Sequence, residues 1–187
     1  TAGTPAHKVL YDAAGINRLT GTRYDDLLDT LMITQRVPAW AGNRIDRAIR
    51  LPKRYLVDPG LATALLRVDQ RRLLRDGDLL GRTLDTYVAA QLRAECSLSG
   101  IGADLFHLRD ANGRHEVDLL VETRAGQVIA IEVKATAAPS RADARHLEWC
   151  AERLGPAFAT GLVIHTGPRV IRLTDRIVAV PIAALWS

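Results

Sequence analysis

Lysine is nearly absent from this chain. Of 25 basic residues only Lys8, Lys53 and Lys134 are lysine, and the rest are arginine. A lysine kept where arginine is the rule marks a place that needs a compact point charge, which a planar guanidinium does not imitate; for Lys8, chance is the preferred explanation. Cysteine is scarce as well. Cys96 and Cys150 support neither a disulfide framework nor a zinc knuckle, read as small hydrophobes within helices, and favour a reducing, cytoplasmic setting. No apolar run approaches the ~20 residues that span a bilayer, so no membrane partner is expected. Thr1 to Ala6 lacks the basic and apolar pattern of a signal peptide. The sequence has no G-x-x-x-x-G-K-S/T, which excludes a P-loop ATPase within this chain. It shows no Ser-His-Asp or nucleophilic-cysteine arrangement, and no repeat or low-complexity tract.

The 187 residues, 48% hydrophobic, suffice for one large domain or two small ones. Their net charge of +4 is uneven. Residues 1–75 carry 13 Lys and Arg against 7 Asp and Glu, an excess of +6, whereas residues 76–187 carry 12 against 14, or −2. The basic excess favours an anionic partner, nucleic acid foremost, for the first part. The expected division is a winged-helix-like domain with its linker over 1–75 and an α/β domain over 76–187.

Residues 8–56 read as a partial winged helix. A short helix from Lys8 to Ala14 precedes the turn Gly15-Ile16-Asn17, and Asn17 is a good N-cap. A second helix follows from Arg18 to Leu31, and Val37 to Trp40 and Lys53 to Val57 read as strands around a wing. The second helix would lie in a major groove if this were a plain helix-turn-helix, yet it carries two arginines against Asp25, Asp26 and Asp29, and Gly21 weakens it. Arg36, Arg44, Arg47, Arg50, Lys53 and Arg54 make the wing the better phosphate-binding candidate; packing against a neighbour explains it equally well. The usual first helix is missing before residue 8, as expected of a C-terminal piece of a longer protein. A short helix from Leu61 to Leu66 and a polar linker from Arg67 to Asp78 complete this part.

From Leu79 the order is α-β-β-β-α-β with a C-terminal extension, a sheet flanked by helices. Helices are expected over Leu79–Cys96 and Arg141–Leu154, and strands over Asp104–Arg109, His115–Thr123, Gln127–Ala135, Thr160–His165, Val170–Leu173 and Ile177–Val180. Period-two alternation places Ile129, Ile131 and Val133 on one face and Ala130, Glu132 and Lys134 on the other. It likewise sets Val117, Leu119 and Val121 against Glu116, Asp118, Leu120 and Glu122. A three-residue loop, Arg124-Ala125-Gly126, with glycine left-handed, pairs Thr123 with Gln127 and puts Asp118 opposite Glu132. Like charges so placed repel. A hydrated Mg²⁺ held by one or two carboxylates removes the conflict, and Lys134 could then steady an attacking water or a developing phosphate charge. An E-x-K tripeptide alone is equally a solvated surface pair. His115 reads as a strand-edge residue, Arg145 and His146 as a solvated helix face within reach of an anionic substrate, and Trp149 and Trp186 as core or edge aromatics.

Leu80-Gly81-Arg82-Thr83-Leu84-Asp85, Glu116-Val117-Asp118 and Ile131-Glu132-Val133-Lys134 together resemble an uncharacterised C-terminal domain family. It is related to the PD-(D/E)XK nucleases and is normally fused to bacterial AAA+-type ATPases. Ala14-Gly15-Ile16-Asn17, Leu51-Pro52-Lys53-Arg54-Tyr55 and Pro181-Ile182-Ala183-Ala184-Leu185-Trp186 extend the resemblance over nearly the whole chain. It implies a PD-(D/E)XK (restriction-endonuclease-like) core behind a partial winged helix. Asp118 and Glu132 would be metal ligands for Mg²⁺ or Mn²⁺, Lys134 the catalytic lysine, and Asp85 a further acid where glutamate is the commoner residue. The implied partners are nucleic acid and an ATPase domain of the same or a longer protein, and a homo-oligomer stays open. Two functions follow: a metal-dependent nuclease, or a catalytically inactive nuclease-fold module that binds a partner or nucleic acid.

Overall fold

The computed structural model describes residues 1–42, 50–110 and 112–186, with the backbone alone at Trp186. Helix α1 (His7–Ala13) and helix α2 (Arg18–Thr30) precede strands β1 (Thr34–Val37) and β2 (Lys53–Leu56), which pair antiparallel. Helices α3 (Pro59–Leu65), α4 (Gln70–Arg75) and the long α5 (Gly77–Leu98) follow. Strands β3 (Ala103–Arg109), β4 (Glu116–Thr123) and β5 (Val128–Lys134) lead to a 3₁₀ turn and helix α6 (Arg145–Leu154), and then to β6 (Phe158–His165), β7 (Ile171–Arg172) and β8 (Ile177–Pro181). Short polar side chains start the helices by accepting orphan backbone N–H groups: Asn17 from Thr20, Asp58 from Leu61, Asp69 from Arg72 and Asp76 from Leu79.

The stretch expected to be a linker, Arg67 to Asp78, holds α4 between two aspartate caps. That helix buries no residue, so it leaves no apolar periodicity to read. The helix expected from Arg141 opens as a 3₁₀ turn with a Ser140–Asp143 capping box, becoming α-helical only at Arg145.

The protein is a mixed α/β structure. The six strands of its larger sheet run in the order β3-β4-β5-β6-β8-β7, antiparallel from β3 to β5 and parallel across β5, β6 and β8. Helix α6 covers one face through Leu147 and Cys150, which meet Leu120, Val128, Ala130 and Val163. Helix α5 covers the other through Val88 and Ala89, which meet Leu119, Val121, Ile131 and Ile164. Val37 and Tyr55 of the two-stranded ladder belong to that second core. The chain just past β1 also hydrogen-bonds the outer edge of β3: His107 N donates to Pro38 O and Trp40 N to His107 O, at 3.0 and 2.7 Å. The N-terminal part is thus sewn to the edge of the large sheet and packed into its core. Among the described residues no helix is long and apolar enough to cross a membrane.

Helices α1 and α2 meet where Gly21 faces the Tyr11 ring. A Cβ at Gly21 would collide with that ring, so the glycine that weakens α2 as a helix is what lets the pair close. Gly21→Ala is expected to lower the stability of the whole chain by about 1–3 kcal/mol, the usual effect of overpacking, read as a shift of the urea midpoint at unchanged slope.

Candidate functional site

The β4–β5 hairpin has the register its loop chemistry implies. Thr123 N donates to Gln127 O and Gly126 N to Thr123 O, with Gly126 at φ +76°, and pairing runs from Glu122↔Val128 to Leu119↔Ile131. There the backbone ladder stops, one step short of Asp118 and Glu132. Asp118 Oδ2 takes over by accepting the Val133 N–H at 3.0 Å.

At the same place β4 carries an extra residue relative to its other neighbour, β3. Phe106 pairs with Leu120 but Leu108 with Val117, so three steps on β4 oppose two on β3. This bulge corrects the expected alternation. Val117 falls in the core under α6 with Leu120, whereas Leu119 and Val121 lie under α5. The acid-bearing face is also no open surface, since Leu120, Ala130 and Glu132 are all buried. Bulges commonly re-aim a side chain beside a functional site, and here the re-aimed side chain is Asp118.

Asp118 meets a cation from the N-terminal part. Lys53 of β2 is 2% exposed; its Nζ lies 3.0 Å from Asp118 Oδ1 and 2.6 Å from Asp85 Oδ2. Asp85 Oδ1 accepts from the Tyr55 hydroxyl at 3.0 Å. Burial opposes the Lys53 charge, but the Asp118 and Asp85 carboxylates outweigh it and hold the ammonium well above the usual lysine range. Burial pushes the Asp85 carboxyl up to about 6, against the pull of Lys53.

Glu132 forms the other half of the cluster. It is 4% exposed, and its Oε1 accepts from Lys134 Nζ at 2.9 Å. Its Oε2 is buried with no hydrogen-bond partner among the described residues. Burial, helped by the nearby Asp118 charge, raises this carboxyl to about 8. Lys134 beside it pulls the other way without cancelling the effect of burial, while Asp85 and Asp118 share Lys53. Asp85, Asp118, Glu132, Lys134 and Lys53 all line one open cleft of about 390 Å³, with Arg82 and His146 on its walls.

The structure therefore brings Asp85, Asp118, Glu132 and Lys134 together and adds Lys53. As the side chains stand, no three His, Cys, Asp or Glu groups among the described residues are close enough to hold a metal ion, and an ammonium sits between Asp85 and Asp118. Two carboxylates, Asp118 and Glu132, remain a fit for a cation on the cleft side, where Glu132 Oε2 lacks a partner.

The six cations expected on a wing separate. Lys53 is in the cleft. Arg54 grips Asp25 with both guanidinium nitrogens, at 2.9 and 2.7 Å, and Tyr11 donates to the same carboxylate at 2.7 Å. Arg36 pairs with Asp29 at 2.6 Å. Lys53, Arg54 and Arg36 are thus committed to carboxylates of this chain rather than free for phosphate. Arg50 is exposed and reaches Arg109 O at 3.4 Å. Arg44 and Arg47 lie outside the described residues. On α6, His146 lines the cleft, and Arg145 Nε approaches its ring at 3.0 Å. His115 stacks on Trp149, with ring centroids 4.6 Å apart.

Residues 80–185 match the family described as "Domain of unknown function (DUF4143)". They are more than half of the chain, which therefore belongs to that family. Residues 1–72 match a second family, "Domain of unknown function (DUF8612)". Among proteins similar to it are "Uncharacterized protein Rv2008c" of Mycobacterium tuberculosis and "Uncharacterized protein Mb2031c" of Mycobacterium bovis, each 29% identical over 166 residues. The alignment covers 89% of this chain but 35% of either relative, so the chain spans about a third of their length.

Two outcomes follow from the cluster. Removing one partner from a buried ion pair strands the other charge, at about 3–5 kcal/mol. Lys53→Met is expected to cost that much near neutral pH, and less below about pH 6, where Asp85 takes up a proton; urea midpoints at several pH values measure it. Between pH 4.5, the ordinary glutamate value, and about 8 the folded chain keeps a proton on Glu132 that the unfolded chain has already released. Stability contributed by that proton is present at low pH and lost as pH rises through this window. Glu132→Gln should flatten the decline, seen as a smaller fall in melting temperature between about pH 5 and about pH 9.

Proposed function

We propose that residues 76–187 form a PD-(D/E)XK nuclease-type domain that acts on a phosphodiester with the help of Mg²⁺ or Mn²⁺, as part of a longer cytoplasmic protein that includes an AAA+-type ATPase domain. The supporting observation is the convergence of Asp118, Glu132 and Lys134 with Asp85 on one cleft, with the unpartnered Glu132 Oε2 buried at its wall. The order α5-β3-β4-β5-α6-β6 and the acid–lysine spacing on β5 fit that superfamily, and α1, α2 and the β1–β2 ladder fit the partial winged helix.

Asp118 and Glu132 would hold the cation. When bound it would polarise a phosphoryl oxygen and acidify a water. Lys134, held by Glu132 and about one-third exposed to the cleft, is placed to offset charge developing on that oxygen. Asp85 acts here by fixing Lys53 and, through it, Asp118.

Calorimetry with Mn²⁺ should show binding to the wild type and none to Asp118→Ala. Lys134→Ala should still bind Mn²⁺ while its cleavage of a labelled oligonucleotide falls by about 10²- to 10³-fold, the usual loss of one electrostatic stabiliser. Wild-type cleavage rates in that variant would sink the assignment.

One observation favours a second reading, a nuclease-fold module that does not cleave: the Lys53 ammonium holds the place between Asp85 and Asp118 that a metal ion would need. On that reading the wild type neither binds Mn²⁺ nor cuts, and Lys53→Met restores Mn²⁺ binding alone.

A further inference from the structure

Helix α4 stands out for what it does not pair with. Residues 67–75 contain Arg67, Arg71, Arg72 and Arg75 against a single acid, Asp69. All four arginines are exposed. Five other arginines, Arg36, Arg54, Arg82, Arg109 and Arg141, are paired with carboxylates, but these four have no ion-pair partner among the described residues. The two nearest acids are engaged as caps: Asp69 accepts the Arg72 N–H at 2.8 Å, and Asp76 the Leu79 N–H at 3.0 Å. Arg71 and Arg75, one helical turn apart, share a face, and with Arg72 and the capping acids Asp69 and Asp76 they line an open depression of about 680 Å³ that reaches Gly77.

Gly77 is also on the rim of the carboxylate cleft. From Gly77 to Asp85 is eight residues along α5, or ~12 Å at 1.5 Å per residue. Phosphates on one strand of a duplex are spaced ~3.4 Å along its axis, so Asp85 lies some three or four nucleotides beyond the Gly77 end of the arginine surface. Guanidinium forks suit phosphate oxygens, which they can take two at a time. A six-residue helix is too short to lie in a membrane interface as an amphipathic anchor does.

We infer that Arg71, Arg72 and Arg75 of α4, with Arg67 beside them, form the surface that holds a nucleic-acid backbone next to the cleft. This rests on the phosphodiester reading of the cleft for the choice of partner, and it moves backbone contact away from the β1–β2 wing. The surface reads charge and spacing, so it binds without base preference.

The test is fluorescence anisotropy without divalent metal, using the whole chain with labelled duplex DNA and with single-stranded RNA of equal length over a range of salt. The wild type should bind at least one of them, with affinity falling as salt rises. The triple variant R71A/R72A/R75A should bind about tenfold or more weakly, with a log–log salt slope shallower by roughly 2 to 3, near 0.9 per lost duplex phosphate contact and 0.7 on a single strand. Its melting temperature should be unchanged, since these side chains are exposed. Arg18→Ala/Arg23→Ala on α2 should bind as the wild type does. Unchanged affinity in the triple variant overturns the inference even if the wild type cuts. So does loss of binding in the α2 variant instead, or binding to phosphatidylserine vesicles with none to either nucleic acid. Failure of cleavage with binding intact would sink the catalytic reading and leave this one standing.

Discussion

The contact on which the rest of the structure depends is the Lys53 ammonium between the Asp85 and Asp118 carboxylates. It ties three elements distant in sequence: a strand of the N-terminal ladder, the long helix over one face of the sheet, and the bulged strand in the middle of the cleft. A buried cation is costly unless its partners repay the lost hydration and are themselves satisfied. Both conditions are met, since Asp85 also takes the Tyr55 hydroxyl and Asp118 the Val133 amide. Withdrawing β2 would leave two acids facing apolar surroundings and would uncover the core side of Tyr55 and Val37. The ranges matching two different families are therefore joined by a shared core and a shared ion cluster.

The bulge in β4 makes that cluster reachable. In a regular ladder Asp118 would stand opposite Glu132 and the two charges would repel across the hairpin. With one residue more on β4 than on β3, the backbone ladder ends at Leu119, and the Asp118 carboxylate is satisfied by Lys53 on one side and a backbone amide on the other. The resulting asymmetry matters chemically. Asp118 is paired and fixed, whereas Glu132 keeps a buried oxygen without a partner and a proton affinity far above that of an ordinary carboxyl group.

Much of this was legible in the sequence. Turn chemistry at Arg124-Ala125-Gly126 specified the register, Asn17 marked the start of α2, and the order of elements from α5 to β6 followed from periodicity. What periodicity cannot say is what lies opposite a strand. Lys53 and Arg54 read as neighbouring wing cations, yet one faces the cleft and the other Asp25, because alternate residues of one strand serve two different cores. A signal for Lys53 was present in its chemistry: in a chain that otherwise uses arginine, a retained lysine suits a pocket too small for a guanidinium. Helix α4 was invisible because a helix with no buried side chain has no stripe, and the bulge was invisible because Leu119-Leu120-Val121 reads equally well as a regular strand buried on both faces.

The cluster's charge count limits what it can bind. Two ammonium groups face its three carboxyl groups, and burial raises the proton affinity of the third, Glu132, well above that of an ordinary glutamate. A divalent cation entering between Asp85 and Asp118 must displace Lys53, which is 2% exposed and held by both carboxylates. One entering against Glu132 needs only to displace a proton and to turn Lys134, which already borders solvent. The Glu132 side is therefore the less costly place for added positive charge, and the Lys53 side is the structural anchor. On this division of labour, an aspartate at position 85 suffices where a longer acid would reach further into the cleft, because its partner is an ammonium 2.6 Å away.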